Sequence, residues 1–346
     1  MIYNNLGNSN TKVSRICLGT MTWGEQNSEK EGFEQMDCAV DYGVNFFDTA
    51  ELYSVPPKKE TFGSTEIIIG NWFKERKNRQ KVVLATKVVG RSGMKWFRGK
   101  ETRINKEQIT KAIEGSLKRL NTDYIDLYQI HWPDRKANFF GKLGYEHQEE
   151  EDFIELKYQL ECLNDLVKQG KIRYVGLSNE TSWGLMKFLN LAEKYNLPRV
   201  VSVQNPYSLL NRSYEVGMAE ISVRENCGLL AYSPLAFGML TGKYDDGKKP
   251  QKARLTIYES IYTRYTKSKG IEYAKKFNQL AIDNDLTPTQ MALAYVNTRP
   301  FLTSNIIGAT TIDQLKENIQ SIKINLNEEL IEKIETIHNE NPYPCP

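Results

Sequence analysis

The chain has 346 residues, 40% of them hydrophobic, with 46 Lys and Arg against 43 Asp and Glu and a net charge of +3. Such a length suits one α/β barrel or two smaller domains, with enough apolar material for a large core. The weak, scattered charge argues against a nucleic-acid partner, and no apolar run is long enough to span a membrane.

Residues 2 to 13 read as a hairpin around the polar turn Gly7-Asn8-Ser9-Asn10, placed to plug one end of a barrel. Strand-like runs follow near 15–18, 44–47, 81–86, 124–130, 172–177, 200–203, 228–232 and 304–307. Helical patterns lie between most of them, such as Ile109, Ile113, Leu117 and Leu120. Eight strands alternating with helices predict a single-domain (β/α)8 barrel, the TIM-barrel architecture, over 1–346. Two long stretches, 132–152 after the fourth strand and 233–270 after the seventh, are expected to open onto the catalytic face. The first mixes Phe139, Phe140 and Tyr145 with the acidic run Glu149-Glu150-Glu151.

The opening polar residues Asn4, Asn5, Asn8 and Asn10 do not read as a signal segment, so a cytoplasmic protein is expected. Five cysteines, with no close pair among them, suggest neither a disulfide framework nor a zinc site, and no metal is expected. In that compartment the Asn179 and Asn211 sequons carry no meaning for glycosylation. Of the three histidines, His147 and His338 sit in polar surroundings without metal-ligand spacing.

Strands and polar residues combine into one candidate site. The run Val44-Asn45-Phe46-Phe47 ends in Asp48, with Tyr53 five residues on in a loop that continues Ser54-Val55-Pro56-Pro57. Lys81–Thr86 ends in Lys87, and Tyr124–Ile130 ends in His131. Each residue alone has an ordinary structural reading, as a cap or as packing. Together they stand where a parallel barrel keeps its catalytic groups, and they can act as a proton relay.

A doubly wound sheet would show the same alternation of elements, but no G-x-G-x-x-G follows any strand. Gly238-Met239-Leu240-Thr241-Gly242-Lys243 has a superficial P-loop look. Its spacing is one residue short, and Tyr244 stands where Ser or Thr would hold magnesium. After the eighth strand, Gly308-Ala309-Thr310-Thr311 leads into a helix at Ile312, and Thr311 with Gln314 matches a capping box. A helix start there suits phosphate.

The Asp, Tyr, Lys and His in this order resemble the catalytic tetrad of the aldo-keto reductases. Gly19–Asn27, Val55-Pro56-Pro57, Gln204–Arg212 and Gly308–Thr311 extend the resemblance to a bacterial branch of that family, over the full length of the chain. The resemblance implies NADP(H) as cofactor and an aldehyde or ketone as the small-molecule substrate. By it, Ser178, Asn179 and Gln204 hold the nicotinamide carboxamide, and Tyr232 stacks on its ring. Ser233, Pro234, Leu235, Gly238, Leu240 and Lys243 belong to a loop strapping the pyrophosphate, together with Ala236, Phe237, Met239, Thr241, Gly242 and Tyr244. Arg254, Gly308, Thr310, Gln314 and Asn318 serve the adenosine end. Thr22, Trp23 and Asp48 complete the implied cofactor contacts.

The implied chemistry is hydride transfer with Tyr53 as general acid. Lys87 is expected to lower the tyrosine's pKa from its usual value of about 10, Asp48 to fix Lys87, and His131 to orient the carbonyl. Trp23, Trp96 and Trp132 suggest an aromatic mouth. One alternative is an NADPH-binding redox-sensing regulator on the same fold, like the potassium-channel β subunits. Another is a barrel aldolase with a Lys87 Schiff base.

Overall fold

A computed structural model describes residues 1–149 and 151–345. Glu150, in the middle of the acidic run, lies outside the described residues. The strands are β1 (Tyr3–Asn5), β2 (Lys12–Ser14), β3 (Ile16–Gly19), β4 (Phe46–Asp48), β5 (Val83–Val88), β6 (Ile125–Ile130), β7 (Ile172–Ser178), β8 (Val200–Pro206), β9 (Gly228–Tyr232) and β10 (Leu302–Ile307). Strands β3 to β10 are all parallel and close into a barrel, β10 pairing with β3, as the eight apolar runs predicted.

The helices are α1 (Glu29–Asp41), α2 (Ser64–Arg76), α3 (Lys106–Leu120), α4 (Leu156–Lys168), α5 (Ser182–Tyr195), α6 (Tyr214–Gly217), α7 (Ala219–Arg224), α8 (Arg254–Ile257), α9 (Ser268–Ile282), α10 (Pro288–Asn297), α11 (Ile312–Gln320) and α12 (Glu328–Glu340). Their starts follow local chemistry. Ser28 and Thr287 make full capping boxes with Glu31 and Gln290, and Asn105, Thr181 and Asn327 cap α3, α5 and α12. The buried stripe Ile109, Ile113 and Leu120 seats α3 on the barrel.

Strands β1 and β2 form the expected antiparallel hairpin. Leu6 and Val13 from it are fully buried in one cluster with Cys17, Phe46, Ala85, Leu127, Val201, Leu230 and Ile306 from the barrel strands, so the hairpin plugs the barrel. Gly7 is required there. Its φ is +58°, and a Cβ would stand 2.4 Å from the Val201 carbonyl oxygen.

Several strands run one to three residues beyond the predicted ends. Lys87 therefore lies inside β5, and Gln204 inside β8 rather than after it. The pairing of these buried parallel strands carries polar residues to the upper layer of the barrel, because their neighbours on both sides continue the ladder.

Candidate active site

At the C-terminal end of the barrel lies a cavity of about 1030 Å³, lined among others by Asp48, Tyr53, His131, Ser178, Gln204 and Tyr232. Asp48 closes β4, and Tyr53 follows in a loop with cis peptide bonds at Tyr53–Ser54 and Val55–Pro56. Lys87 is fully buried behind Tyr53. Its Nζ donates to Asp48 Oδ2 at 2.7 Å, to the Thr49 carbonyl at 2.8 Å and to the Tyr53 hydroxyl at 3.3 Å. All three ammonium hydrogens are thus used, which fixes the lysine. The other Asp48 oxygen accepts from Gln204 Nε2 at 2.8 Å and Gln129 Nε2 at 3.2 Å.

His131 immediately follows β6, and its backbone N–H bonds the Val88 carbonyl of β5 at 2.9 Å. Its Nδ1 is buried without a partner, which leaves Nε2 as the ring nitrogen open to the cavity. Asn179, at φ +53°, donates to the His131 carbonyl at 2.9 Å and accepts from the Tyr232 hydroxyl at 2.7 Å, tying the ends of β6, β7 and β9 together.

Burial pushes the Tyr53 hydroxyl up, Lys87 pulls it down, and Asp48 pushes it up again. On balance it lies above the ordinary tyrosine value. Lys87 lowers it as expected, but the loss of solvent around the phenol outweighs that effect. For Lys87, burial pulls down, but Asp48 and Tyr53 more than offset it, so its pKa is raised and it remains a cation. Burial, with the charge of Lys87, holds His131 well below its usual range, so its imidazole is neutral at pH 7.

Beyond the tetrad, the structure sorts the implied cofactor residues into two groups. Thr22, Asp48, Ser178, Asn179, Gln204, Tyr232, Ser233, Pro234, Leu235, Phe237, Gly238, Thr241, Lys243, Arg254, Gly308, Thr310, Gln314 and Asn318 line the cavity. Trp23, Ala236, Met239, Leu240, Gly242 and Tyr244 do not. Trp23 is fully buried, with its Nε1 donating to Gln35 at 3.2 Å and its ring packed over Gly32 of α1. Ala236, Met239 and Leu240 turn into the core, because the segment Ala236–Thr241 coils through left-handed backbone at Ala236, Phe237 and Gly238. The Tyr244 hydroxyl instead accepts from the Leu255 backbone N–H at 3.1 Å.

The capping box at α11 forms by half. Thr311 accepts from the Gln314 N–H, but the Gln314 side chain accepts from Thr310 rather than from Thr311. Of the expected aromatic mouth, only Trp132 lines the cavity. Trp96 packs beside Phe62 and Phe97. In the loop after β6, Phe140 and Gly141 line the cavity, Phe139 packs on Phe140, and Tyr145 stays exposed, bonded to His147.

Sequence reasoning missed Met94, Arg264, Lys267 and Glu317, all in the cavity wall. Glu317 lies on the helix face already marked by Gln314 and Asn318, so helical spacing was a usable signal for it. Met94 reaches the wall from an irregular loop, and its sequence carries no such signal.

Two cations mark the far part of the cavity. Lys243 has burial and the charge of Arg254 against it, and both lower its pKa. Arg254 is lowered by burial and stacks over Phe237 and Tyr262 at 5.5 and 5.9 Å. Neither has a carboxylate partner among the described residues, and half-buried cations in that state call for an anion. Gly308 meanwhile leaves open space before the start of α11. The residues present therefore fit a phosphate-bearing dinucleotide, and the cavity volume allows a small substrate beside it.

Among the described residues, no helix is long and apolar enough to cross a membrane, and no group of three or more His, Cys, Asp or Glu is placed to hold a metal.

A closed parallel barrel with Tyr, Lys, Asp and His converging on one cavity at its C-terminal end defines a class, the barrel oxidoreductases. The chain belongs to the aldo/keto reductase family, whose model matches residues 15–339. It is similar over its whole length, at 47% identity, to the Escherichia coli (strain K12) protein named Protein tas, of which it also covers 100%. An aldo-keto reductase of Babesia bovis is 42% identical over 69% of this chain and 88% of its own. The Bacillus subtilis (strain 168) protein named Uncharacterized oxidoreductase YrpG is 35% identical over 97% of this chain and 96% of its own.

Proposed function

We propose that this protein reduces aldehyde or ketone carbonyls to alcohols with NADPH, using Tyr53 as the general acid. The observation that carries this reading is the Lys87 ammonium, which bonds both Asp48 and the Tyr53 hydroxyl at the cavity wall beside His131. Bound in the cavity, NADPH would supply a hydride to the carbonyl carbon.

The chain's own residues supply the rest. Tyr53 is protonated at neutral pH, as a tyrosine ordinarily is, and burial keeps it so, leaving it a proton to give to the carbonyl oxygen. Lys87, held charged by Asp48, stabilises the phenolate left behind. Neutral His131, with Nε2 toward the cavity, carries an N–H that bonds the same carbonyl oxygen and aims it at Tyr53. Trp132, Leu52 and Phe140 form an apolar wall that excludes water from the reacting atoms. Ser178, Asn179, Gln204 and Tyr232 frame a nicotinamide, and Arg254, Lys243, Thr310 and Gln314 meet the phosphates and adenosine.

An absorbance assay of NADPH consumption over a panel of aldehydes and ketones tests this directly. Oxidation of NADPH matched by alcohol formation is expected. Absence of turnover across the panel, with NADPH bound, would favour the regulatory reading instead.

A further inference from the structure

Gln129, on β6 two residues before His131, has no role in the chemistry above. It is fully buried, and its amide lies between Asp48 and Gln204. Its Nε2 donates to Asp48 Oδ1 at 3.2 Å, and its Oε1 accepts from Gln204 Nε2 at 3.3 Å. Gln204 Nε2 also donates to Asp48 Oδ1, at 2.8 Å.

A side-chain amide has two N–H donors. Both donors of Gln204 are therefore taken inside the barrel, one by Asp48 and one by Gln129, and its carbonyl oxygen Oε1 is what remains for the cavity it lines. Gln129 cannot turn over in its turn, because that would set its oxygen against the Asp48 carboxylate.

The strand register makes room for this bridge. Gln129 pairs with Gly176 on β7, the strand between it and Gln204 on β8. A Cβ on Gly176 would stand 3.1 Å from Gln129 Cγ and 3.0 Å from Ser202 Oγ. The missing side chain lets the Gln129 amide cross β7 to its partner.

We propose that Gln129 is a positioning residue that, together with Asp48, fixes the orientation of the Gln204 amide, so that Gln204 holds its Oε1 as an acceptor for an N–H of the cofactor carboxamide. It rests on the NADPH reading above. Without Gln129, one Gln204 N–H is left unpaired in a buried place and Asp48 alone holds the amide, so the plane of the amide, and with it the aim of its Oε1 into the cavity, is no longer fixed.

The test compares two probes by quenching of intrinsic fluorescence, with no carbonyl substrate present. One is NADPH. The other is its analogue with an acetyl group in place of the carboxamide, which keeps the carbonyl but has no N–H to donate. The unmodified protein is expected to bind NADPH about tenfold more tightly than the analogue, the size of one well-made hydrogen bond. Gln129→Met should lose most of that preference while binding the analogue as before. Gln129→Leu serves the same purpose if the Met variant does not fold. Adding Gln129→Met to Gln204→Met should cause no further loss of preference, since Gln129 acts through Gln204.

Wild-type preference in a folded Gln129 variant overturns the proposal. So does equal binding of the two probes by the unmodified protein. No binding of NADPH by the unmodified protein would instead overturn the cofactor reading itself.

Discussion

Tyr53 and His131 meet edge to face, their ring centroids 5.6 Å apart and their planes at 78°. The contact sets a phenol hydroxyl and an imidazole beside one corner of the cavity, and the two titrate in opposite directions. Burial raises Tyr53 above its ordinary value, while burial and the Lys87 charge hold His131 far below its own.

These directions give a pH dependence. Reduction needs Tyr53 protonated, so the rate should hold at neutral pH and fall only on the alkaline side, beyond the usual tyrosine value of about 10. No acid limb from His131 is expected near pH 6.5. Stability follows by linkage. The contribution of neutral His131 is full above the unfolded value of about 6.5 and is lost as pH falls from there toward its depressed folded value, because the unfolded chain takes up the proton first. Tyr53 acts oppositely, its contribution being lost as pH rises past about 10. Rate profiles at saturating NADPH, and melts of the unmodified protein against His131→Asn, check both limbs. An acid limb in the rate with a midpoint near 6.5 would contradict the neutral imidazole.

The buried Lys87–Asp48 pair separates stability from chemistry. Lys87→Met strands the Asp48 carboxylate and should cost about 3–5 kcal/mol. Replacing both, with Lys87→Met and Asp48→Leu, should recover much of that stability, since no buried charge is left unpaired. Activity should stay lost in both. Denaturant melts and rates on the two variants make the comparison, and activity in the stable double variant would sink the role given to Lys87.

How much of this site could be read from the chain depends on the residue. Asp48, Lys87 and His131 were legible because each is a polar group terminating an apolar run. Gln129 sits inside such a run and was absorbed into it, although it shares the inward face with His131 two residues on. Trp23, expected in the aromatic mouth with Trp96 and Trp132, lies in the core instead. In the fold, Gly32 of α1 leaves space beneath it and Gln35 takes its N–H. Within the segment Ala236–Thr241 the chain coils, so Phe237, Gly238 and Thr241 face the cavity while Ala236, Met239 and Leu240 face the core, a geometry set by left-handed backbone rather than by hydrophobic period. The barrel itself was legible because eight apolar runs of strand length allow few other arrangements.

Arg254 is expected to decide between the two nicotinamide cofactors. It reaches the cavity from the start of α8 with the Phe237 and Tyr262 rings beside it and no carboxylate partner among the described residues, which suits the phosphate that distinguishes NADPH from NADH. Arg254→Ala should weaken NADPH much more than NADH in fluorescence titrations. Equal affinities in the unmodified protein would remove the basis for this assignment.

The loop after β6 should act through Phe140 rather than through its whole length. Phe140 lines the cavity and packs edge-on against Trp132, with centroids 5.8 Å apart, whereas Tyr145 is 67% exposed. Phe140→Ala should raise KM for bulky aldehydes more than for small ones and leave cofactor affinity near normal. Tyr145→Ala should change neither. Steady-state kinetics on a small and a bulky aldehyde distinguish these outcomes, and unchanged selectivity in Phe140→Ala would place the substrate elsewhere.

The acid role of Tyr53 is tested most directly by Tyr53→Phe, which keeps the ring against His131 and removes the proton. The measurement is the single-turnover rate of carbonyl reduction with NADPH saturating, alongside the NADPH dissociation constant. A drop of about a hundred- to ten-thousand-fold in rate, with cofactor affinity near that of the unmodified protein, is the expected result. A variant that binds NADPH and still reduces good substrates at close to the original rate would contradict it.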